Sequence, residues 1–156
     1  MESINIQGRE TLNIKNIVFD YNGTIAVDGI LNEYVKKNLV ELSKKFNIYI
    51  LTADTYGNVQ QQCRDLPIKI ETFPKGNATK YKKDFVHSLD SKNTVVVGNG
   101  MNDIEMFKEA VLSVAVIGEE GCAGRLLLES DIVVKDINSA FILFQNTNRI
   151  IATLRD

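Results

Sequence analysis

The sequence predicts an α/β fold built on a mainly parallel sheet, and three observations carry that expectation. Apolar runs bounded by turn residues alternate with segments of helical period along the chain. The runs "NIVFD", "NIYILT" and "TVVVGN" are apolar nearly throughout, as strands covered on both faces are. No repeat, low-complexity stretch or Pro/Gly/Ser linker divides the 156 residues, a length that suits one domain spanning 1–156.

The elements follow in order. "INIQG" and "TLNIK" alternate apolar and polar residues around Gly8 and predict an N-terminal edge hairpin leading into the strand "NIVFD". A first helix is expected from Leu31 to Phe46, because Val35, Leu39 and Leu42 recur on one face. The strand "NIYILT" comes next, then a helix near Asn58 to Arg64 and a strand "IKIETF" opened by Pro67. A helix from Ala78 to Leu89 precedes the buried strand "TVVVGN". A helix from Asp103 to Ala110, the strand "LSVAVIG", a helix after Gly121, the strand "DIVV" and a terminal helix from Ala140 to Thr153 complete the chain. The run "AFILFQ" is more apolar than a one-sided helix needs, which suits the core or a subunit contact.

Composition narrows the function. Lys and Arg number 18 against 20 Asp and Glu, with no long basic block, so neither nucleic acid nor an anionic membrane is expected as a partner. Cys63 and Cys122 lie in no metal-like or paired spacing, which fits a reducing, cytoplasmic compartment. "MESINIQGRE" lacks the basic and then apolar pattern of a signal region, and no apolar run approaches the length of a membrane span.

In an open parallel sheet, ligands sit at the carboxyl ends of the strands. The residues there suit a single kind of chemistry. Asp20 ends the first core strand, Thr52 ends the second, and "TVVVGN" opens into "GNGMND" with Asn99, Asn102 and Asp103. Two carboxylates with amide oxygens between them form a hard-oxygen environment suited to Mg²⁺. Thr52 offers a hydroxyl and a backbone N–H to an anion. Lys82 lies four residues before Val86 and seven before Leu89, so it shares their core-facing stripe at the helix end nearest the strand tips; Lys80 and Lys83 are its rivals. Metal, lysine, hydroxyl and carboxylate nucleophile together make a phosphoryl-transfer site.

"DYNGT", "LTADT", a lysine-bearing helix and "GNGMND", in this order over Asn16 to Val134, resemble the four motifs of the haloacid dehalogenase (HAD) superfamily. Within it they look most like the phosphorylation domain of P-type ATPases and the small soluble P-type ATPase-like proteins. The resemblance implies a three-layer Rossmann-like core and a set of roles. Asp20 would attack phosphorus and form an aspartyl-phosphate. Asp20, the Asn22 carbonyl and Asp103, with Asn99 beside them, would hold Mg²⁺. Thr52 and Lys82, with Asn22, Gly23 and Ala53, would bind the phosphoryl group, while Thr24 fixes the loop.

Two departures from the family pattern bear on activity. HAD phosphatases usually carry an Asp where Asn22 stands, to protonate the leaving group and then activate water. An amide does neither near neutral pH, so slow turnover or a long-lived acyl phosphate is expected. Asn99 stands where an Asp is usual, which removes a negative charge near the metal. Both form Asn-Gly pairs, Asn22-Gly23 and Asn99-Gly100, the dipeptide most prone to deamidation. Only 32 residues separate Asp20 from Thr52 and 30 separate Thr52 from Lys82, so no cap domain fits and the nucleotide-binding domain of P-type ATPases has no counterpart. A small phosphorylated substrate or phosphate ligand is expected, with a homo-oligomer as one way of covering the capless site.

The alternative to an enzyme is a catalytically weak HAD-fold module that binds a phosphate ligand or a protein partner. A response-regulator receiver also needs Asp, Thr and Lys at strand ends, but its phosphoacceptor lies on a middle strand beyond an acidic pair on the first. Blander roles are a turn for Asp20, caps for Thr52, Asp54 and Asp103, turns for Asn99 and Asn102, and solvation for His87. Cys122 is either a small packed residue or a helix-start thiol of lowered pKa.

Overall fold

The structure is a computed structural model that describes residues 1–53 and 58–156. Strands β1 (Glu2–Ile4) and β2 (Leu12–Ile14) form the expected hairpin, with Glu2 opposite Ile14. It is a two-stranded sheet of its own, tied to the body by its buried Ile4, Ile6 and Ile14 and by the Lys15 N–H, which donates to Asn93 O at 2.9 Å.

Six parallel strands make the main sheet: β3 (Asn16–Asp20), β4 (Asn47–Thr52), β5 (Lys69–Thr72), β6 (Thr94–Gly98), β7 (Leu112–Val116) and β8 (Ile132–Val134). Their order is β5-β4-β3-β6-β7-β8. The chain therefore winds outward from β3 to β5, then returns to the centre and winds the other way. The reversal falls between β3 and β6, and there the loops leaving the two strands diverge to opposite faces and open a crevice.

Helices α1 (Glu33–Ser43), α2 (Asn58–Gln62), α3 (Ala78–Ser88), α4 (Ile104–Glu109), α5 (Gly124–Leu128), α6 (Ile137–Gln145) and α7 (Asn148–Leu154) cover the sheet. Side chains alternate along each strand, so β3 sends Ile17 and Phe19 to one face and Val18 to the other. The first face packs on Val35, Leu39 and Leu42 of α1 and on Phe141 and Phe144 of α6, so "AFILFQ" is core. The second packs on Val86 of α3, Met106 and Phe107 of α4 and Leu126 of α5. Three layers and no cap domain result, as the sequence predicts.

Most helices and β5 are a few residues shorter than expected, and two departures have identifiable reasons. Helix α1 begins after Leu31 because Asn32 caps it, its Oδ1 accepting the Val35 N–H at 2.9 Å. The single terminal helix expected from Ala140 to Thr153 is two helices, and the first starts earlier, where Asp136 accepts the Ser139 N–H at 2.7 Å. The break falls at Asn146, whose backbone is not helical (φ −134, ψ 85). No helix is long and apolar enough to cross a membrane among the described residues.

Candidate active site

Asp20 leaves the tip of β3 and Gly98 ends β6 beside it, at the point where the sheet reverses. Lys82 reaches this point from the opposite layer. Its place on the Val86 stripe of α3 buries it almost completely, at 1 % exposure. Its Nζ donates to Asp20 Oδ1 at 2.6 Å, to Asp103 Oδ1 at 2.6 Å and to Asn102 Oδ1 at 2.9 Å. A buried ammonium with three oxygen acceptors meets the demand that an interior charge be paired and fully bonded. Nζ also lies 5.7 Å from the centre of the Phe73 ring.

The turn after Asp20 is held from both sides. The Ala26 N–H donates to Tyr21 O and the Gly23 N–H to Ala26 O, closing a tight loop around Asn22. Thr24 Oγ1 donates to Asn99 Oδ1 at 3.1 Å and lies 3.4 Å from Asp20 Oδ2. Asn99 Nδ2 in turn donates to Gly121 O at 3.1 Å. Gly23 has φ +76, and a Cβ there would stand 2.3 Å from Asn99 Nδ2, so both backbone conformation and space demand glycine.

Asp103 is wholly buried, and both of its carboxylate oxygens are engaged. While Oδ1 meets Lys82, Oδ2 accepts the N–H groups of Asn99 at 3.0 Å and Gly100 at 2.9 Å. A Cβ on Gly98 would stand 2.4 Å from that same oxygen, so the turn closes on Asp103 only because residue 98 has no side chain.

A cavity of about 230 Å³ opens over these groups, lined by Asp20, Asn22, Thr52, Ala53, Phe73, Lys82, Asn99, Gly100 and Asn102. Burial, and then the Asp103 charge, push the Asp20 carboxyl up to about 7 against the lowering pull of Lys82. For Lys82, burial acts to lower the pKa, but the carboxylates of Asp20 and Asp103 outweigh it and hold the ammonium above its ordinary value. The oxygen-bearing residues that line the cavity, Asp20 with a carboxylate and Asn22, Asn99 and Asn102 with amides, fit a hard divalent cation in kind. With Asp103 set behind the cavity wall, only one carboxylate faces it, so the donor set is low in charge. No cluster of three or more His, Cys, Asp or Glu side chains of metal-binding geometry occurs among the described residues.

The structure thus brings Asp20, Asn22, Thr52, Ala53, Lys82 and Asn99 to one cavity, with Gly23 and Asp103 supporting its wall. Lys80 and Lys83 stay on the outer face of α3, where Lys80 pairs with Asp84 and Lys83 with Glu105. Asp54 lies outside the described residues. Cys122 is not an activated thiol, because burial and the Asp103 charge raise its pKa. His87 is exposed and bonds Glu109. In both Asn-Gly pairs the glycine N–H that would have to attack is already donated, from Gly23 to Ala26 O and from Gly100 to Asp103 Oδ2. Two cavity residues escaped the sequence reading, Phe73, the last residue of "IKIETF", and Gly100, and Asn102, expected among the strand-end groups, was not foreseen as a Lys82 partner. The strand-end rule would have found Phe73.

Comparison with known proteins adds to this geometry. A family model described as haloacid dehalogenase-like hydrolase matches residues 32–118, more than half of the chain. Uncharacterized protein MJ0073 of Methanocaldococcus jannaschii is 50% identical over 66 residues, which are 42% of this chain and 71% of that protein. Uncharacterized protein MJ0072 of the same organism is 54% identical over 39 residues, 25% of this chain and 89% of that protein. Among solved structures, 3-deoxy-D-manno-octulosonate 8-phosphate phosphatase from Moraxella catarrhalis, in complex with magnesium ion, phosphate ion and KDO, aligns with a TM-score of 0.68 at 19% identity. The alignment covers 92% of this chain and 95% of that one. The cobalt-bound deoxy-D-mannose-octulosonate 8-phosphate phosphatase of Haemophilus influenzae aligns with a TM-score of 0.72 at 14% identity, over 92% and 94% of the two chains. At these identities the likeness is one of fold.

Proposed function

The chain belongs to the haloacid dehalogenase-like hydrolase family, and on that premise we propose that it is a Mg²⁺-dependent phosphohydrolase or phosphotransferase working through an aspartyl-phosphate on Asp20. The observation that carries this reading is the Lys82 ammonium, buried at the sheet's reversal point and 2.6 Å from both Asp20 and Asp103. It holds the nucleophile in place and supplies the positive charge that a phosphoryl group requires.

An oxygen of Asp20 attacks phosphorus, the Asp20 O–P bond forms, and the bond to the leaving oxygen breaks with its electron pair. Lys82, the Thr52 hydroxyl and the backbone at Ala53 hold the phosphoryl oxygens, while Gly23, its own N–H given to Ala26 O, shapes the loop beside them. Water then attacks the same phosphorus, Asp20 departs as a carboxylate, and the proton of that water passes to solvent. Asp20, the Asn22 carbonyl and Asn99 would hold Mg²⁺, which would supply charge neutralisation there. Asp103, expected from the sequence as a metal ligand, serves in this reading to fix Lys82 and the Asn99-Gly100 turn, because it lies wholly buried behind the cavity wall.

Asn22 sits where a proton is needed and has none to give. Substrates whose leaving group departs unprotonated, such as acyl or aryl phosphates, are therefore favoured over alkyl esters. The motif set supports a place beside the soluble P-type ATPase-like proteins, in one cytoplasmic domain over 1–156. Exposure of the cavity without a cap supports cover by a second subunit.

The test is turnover of acetyl phosphate and p-nitrophenyl phosphate with Mg²⁺, for wild type, Asp20→Asn and Asn22→Asp. Hydrolysis that requires Asp20 supports the reading. Silence in both the wild type and Asn22→Asp contradicts it, and favours the second reading, a phosphate- or partner-binding module. The two amides at the cavity, Asn22 and Asn99, are what recommend that second reading.

A further inference from the structure

We propose that β5 is a dimer interface, where two copies of the chain join their sheets antiparallel about a two-fold axis at Ile70. The inference is independent of the chemistry at Asp20.

Among the described residues β5 is an edge strand, paired with β4 on one side alone. An uncovered edge presents a row of unpaired backbone donors and acceptors, which a second strand can use. Which residues face outward follows from the register. The Phe73 N–H donates inward to Thr52 O at 3.2 Å. Backbone groups alternate in direction along a strand, so Lys69, Glu71 and Phe73 bond toward β4 while Ile70 and Thr72 aim their N–H and C=O groups outward. Two β5 strands related by a two-fold axis at Ile70 then exchange a pair of bonds between their Ile70 residues. The Thr72 N–H of each copy meets the Ile68 carbonyl of the other.

Charge selects this register over its neighbours. With the axis at Ile70, Lys69 of each copy stands directly opposite Glu71 of the other, on the same face of the joined sheet, and the pairing occurs twice. Moving the axis to Glu71 would set Glu71 against itself, and moving it to Lys69 would set Lys69 against itself. Neither side chain forms an ion pair inside its own chain among the described residues. Lys69 lies over the Tyr49 ring, with Nζ 5.4 Å from its centre, while Glu71 stays half-exposed. An open groove of about 300 Å³, lined by Ser43, Asn47, Pro67, Ile68 and Lys69 among others, flanks the strand and offers mixed polar and apolar surface beside the new pairing. Thr72, which would sit against Ile68 of the second copy, precedes Phe73 of the catalytic cavity wall.

Size-exclusion chromatography with light scattering tests the proposal on wild type, Lys69→Glu, Glu71→Lys and the double exchange, with thermal melting to confirm that each is folded. Wild type runs at twice the chain mass. Each single reversal opposes like charges at both pairs and raises the dimer dissociation constant at least about tenfold. The double exchange restores opposite charges and returns the dimer. Ile70→Cys, placed on the two-fold axis, forms an intermolecular disulfide on oxidation that wild type does not. A monomeric wild type at high protein concentration would overturn the proposal. A dimer indifferent to both single reversals, which must use another surface, would overturn it too.

Discussion

In the proposed mechanism Asn22 limits the chemistry at Asp20, because it keeps the loop geometry while offering no group that could carry a proton. Asn22→Asp is expected to raise phosphate-ester hydrolysis by about 10²- to 10⁴-fold, the usual worth of a positioned acid–base group, in a steady-state assay. The gain is largest for leaving groups of high pKa. Asp20 itself carries a pH dependence. Its carboxyl titrates at about 7 rather than 3.8 in the metal-free protein. Between those values the folded protein holds a proton that the unfolded chain has released, so this group's contribution to stability falls as pH rises from about 4 to about 7. The same proton competes with a cation. Calorimetry should find Mg²⁺ affinity rising up to about tenfold per pH unit below 7 and levelling above it, with Asp20→Asn flattening the profile. Lys82 acts at the alkaline end. Its raised pKa adds stability that is full below the ordinary lysine value and is lost as pH climbs through the folded value. Lys82→Ala leaves two carboxylates facing one another without their cation, and is expected to cost about 3–5 kcal/mol in denaturant unfolding, part of it recovered by Mg²⁺.

At the scale of elements, register does most of the work. One lysine of "KYKK" enters the site because it lies four residues before Val86, and its neighbours at 80 and 83 point to solvent. Lys80→Ala and Lys83→Ala should each change stability by less than about 0.5 kcal/mol and leave phosphoryl chemistry unaltered. Asn32→Ala, by contrast, removes the cap of α1 and should cost about 1 kcal/mol in thermal or denaturant melts. These same periodicities made the strands and most helices legible in the sequence: "NIYILT" is the strand Asn47–Thr52 without revision. The division of the terminal helix was hidden because its apolar spacing runs on across the break, from Leu143 to Ile150. The hairpin was visible as alternation around Gly8. That it stands as its own sheet was not, because strand pairing is decided by distant residues.

At the scale of the molecule, sheet order turns separate motifs into one cavity. Asp20, Thr52 and Asp103 were legible in the sequence as strand-end and loop groups, because a doubly wound sheet offers one place for them to meet. Which carboxylate lines the cavity was not legible. Asp103 sits behind the wall, engaged by Lys82 and two backbone N–H groups, and only packing of the Asn99-Gly100 turn over Gly98 puts it there. Asn102 joins the site through the same turn, by accepting from Lys82, whereas Phe73 follows the strand-end rule. The proposed chemistry stands or falls on whether Asp20 accepts a phosphoryl group in this setting. Intact and peptide mass spectrometry of wild type and Asp20→Asn, after exposure to Mg²⁺ with acetyl phosphate, decides it, with beryllium fluoride as the stable mimic. A phosphoryl or fluoride adduct is expected on Asp20 in the wild type, long-lived because Asn22 cannot activate water, and none is expected in Asp20→Asn. Absence of any adduct in the wild type, or an adduct that persists in Asp20→Asn, would refute a phosphoacceptor role for Asp20.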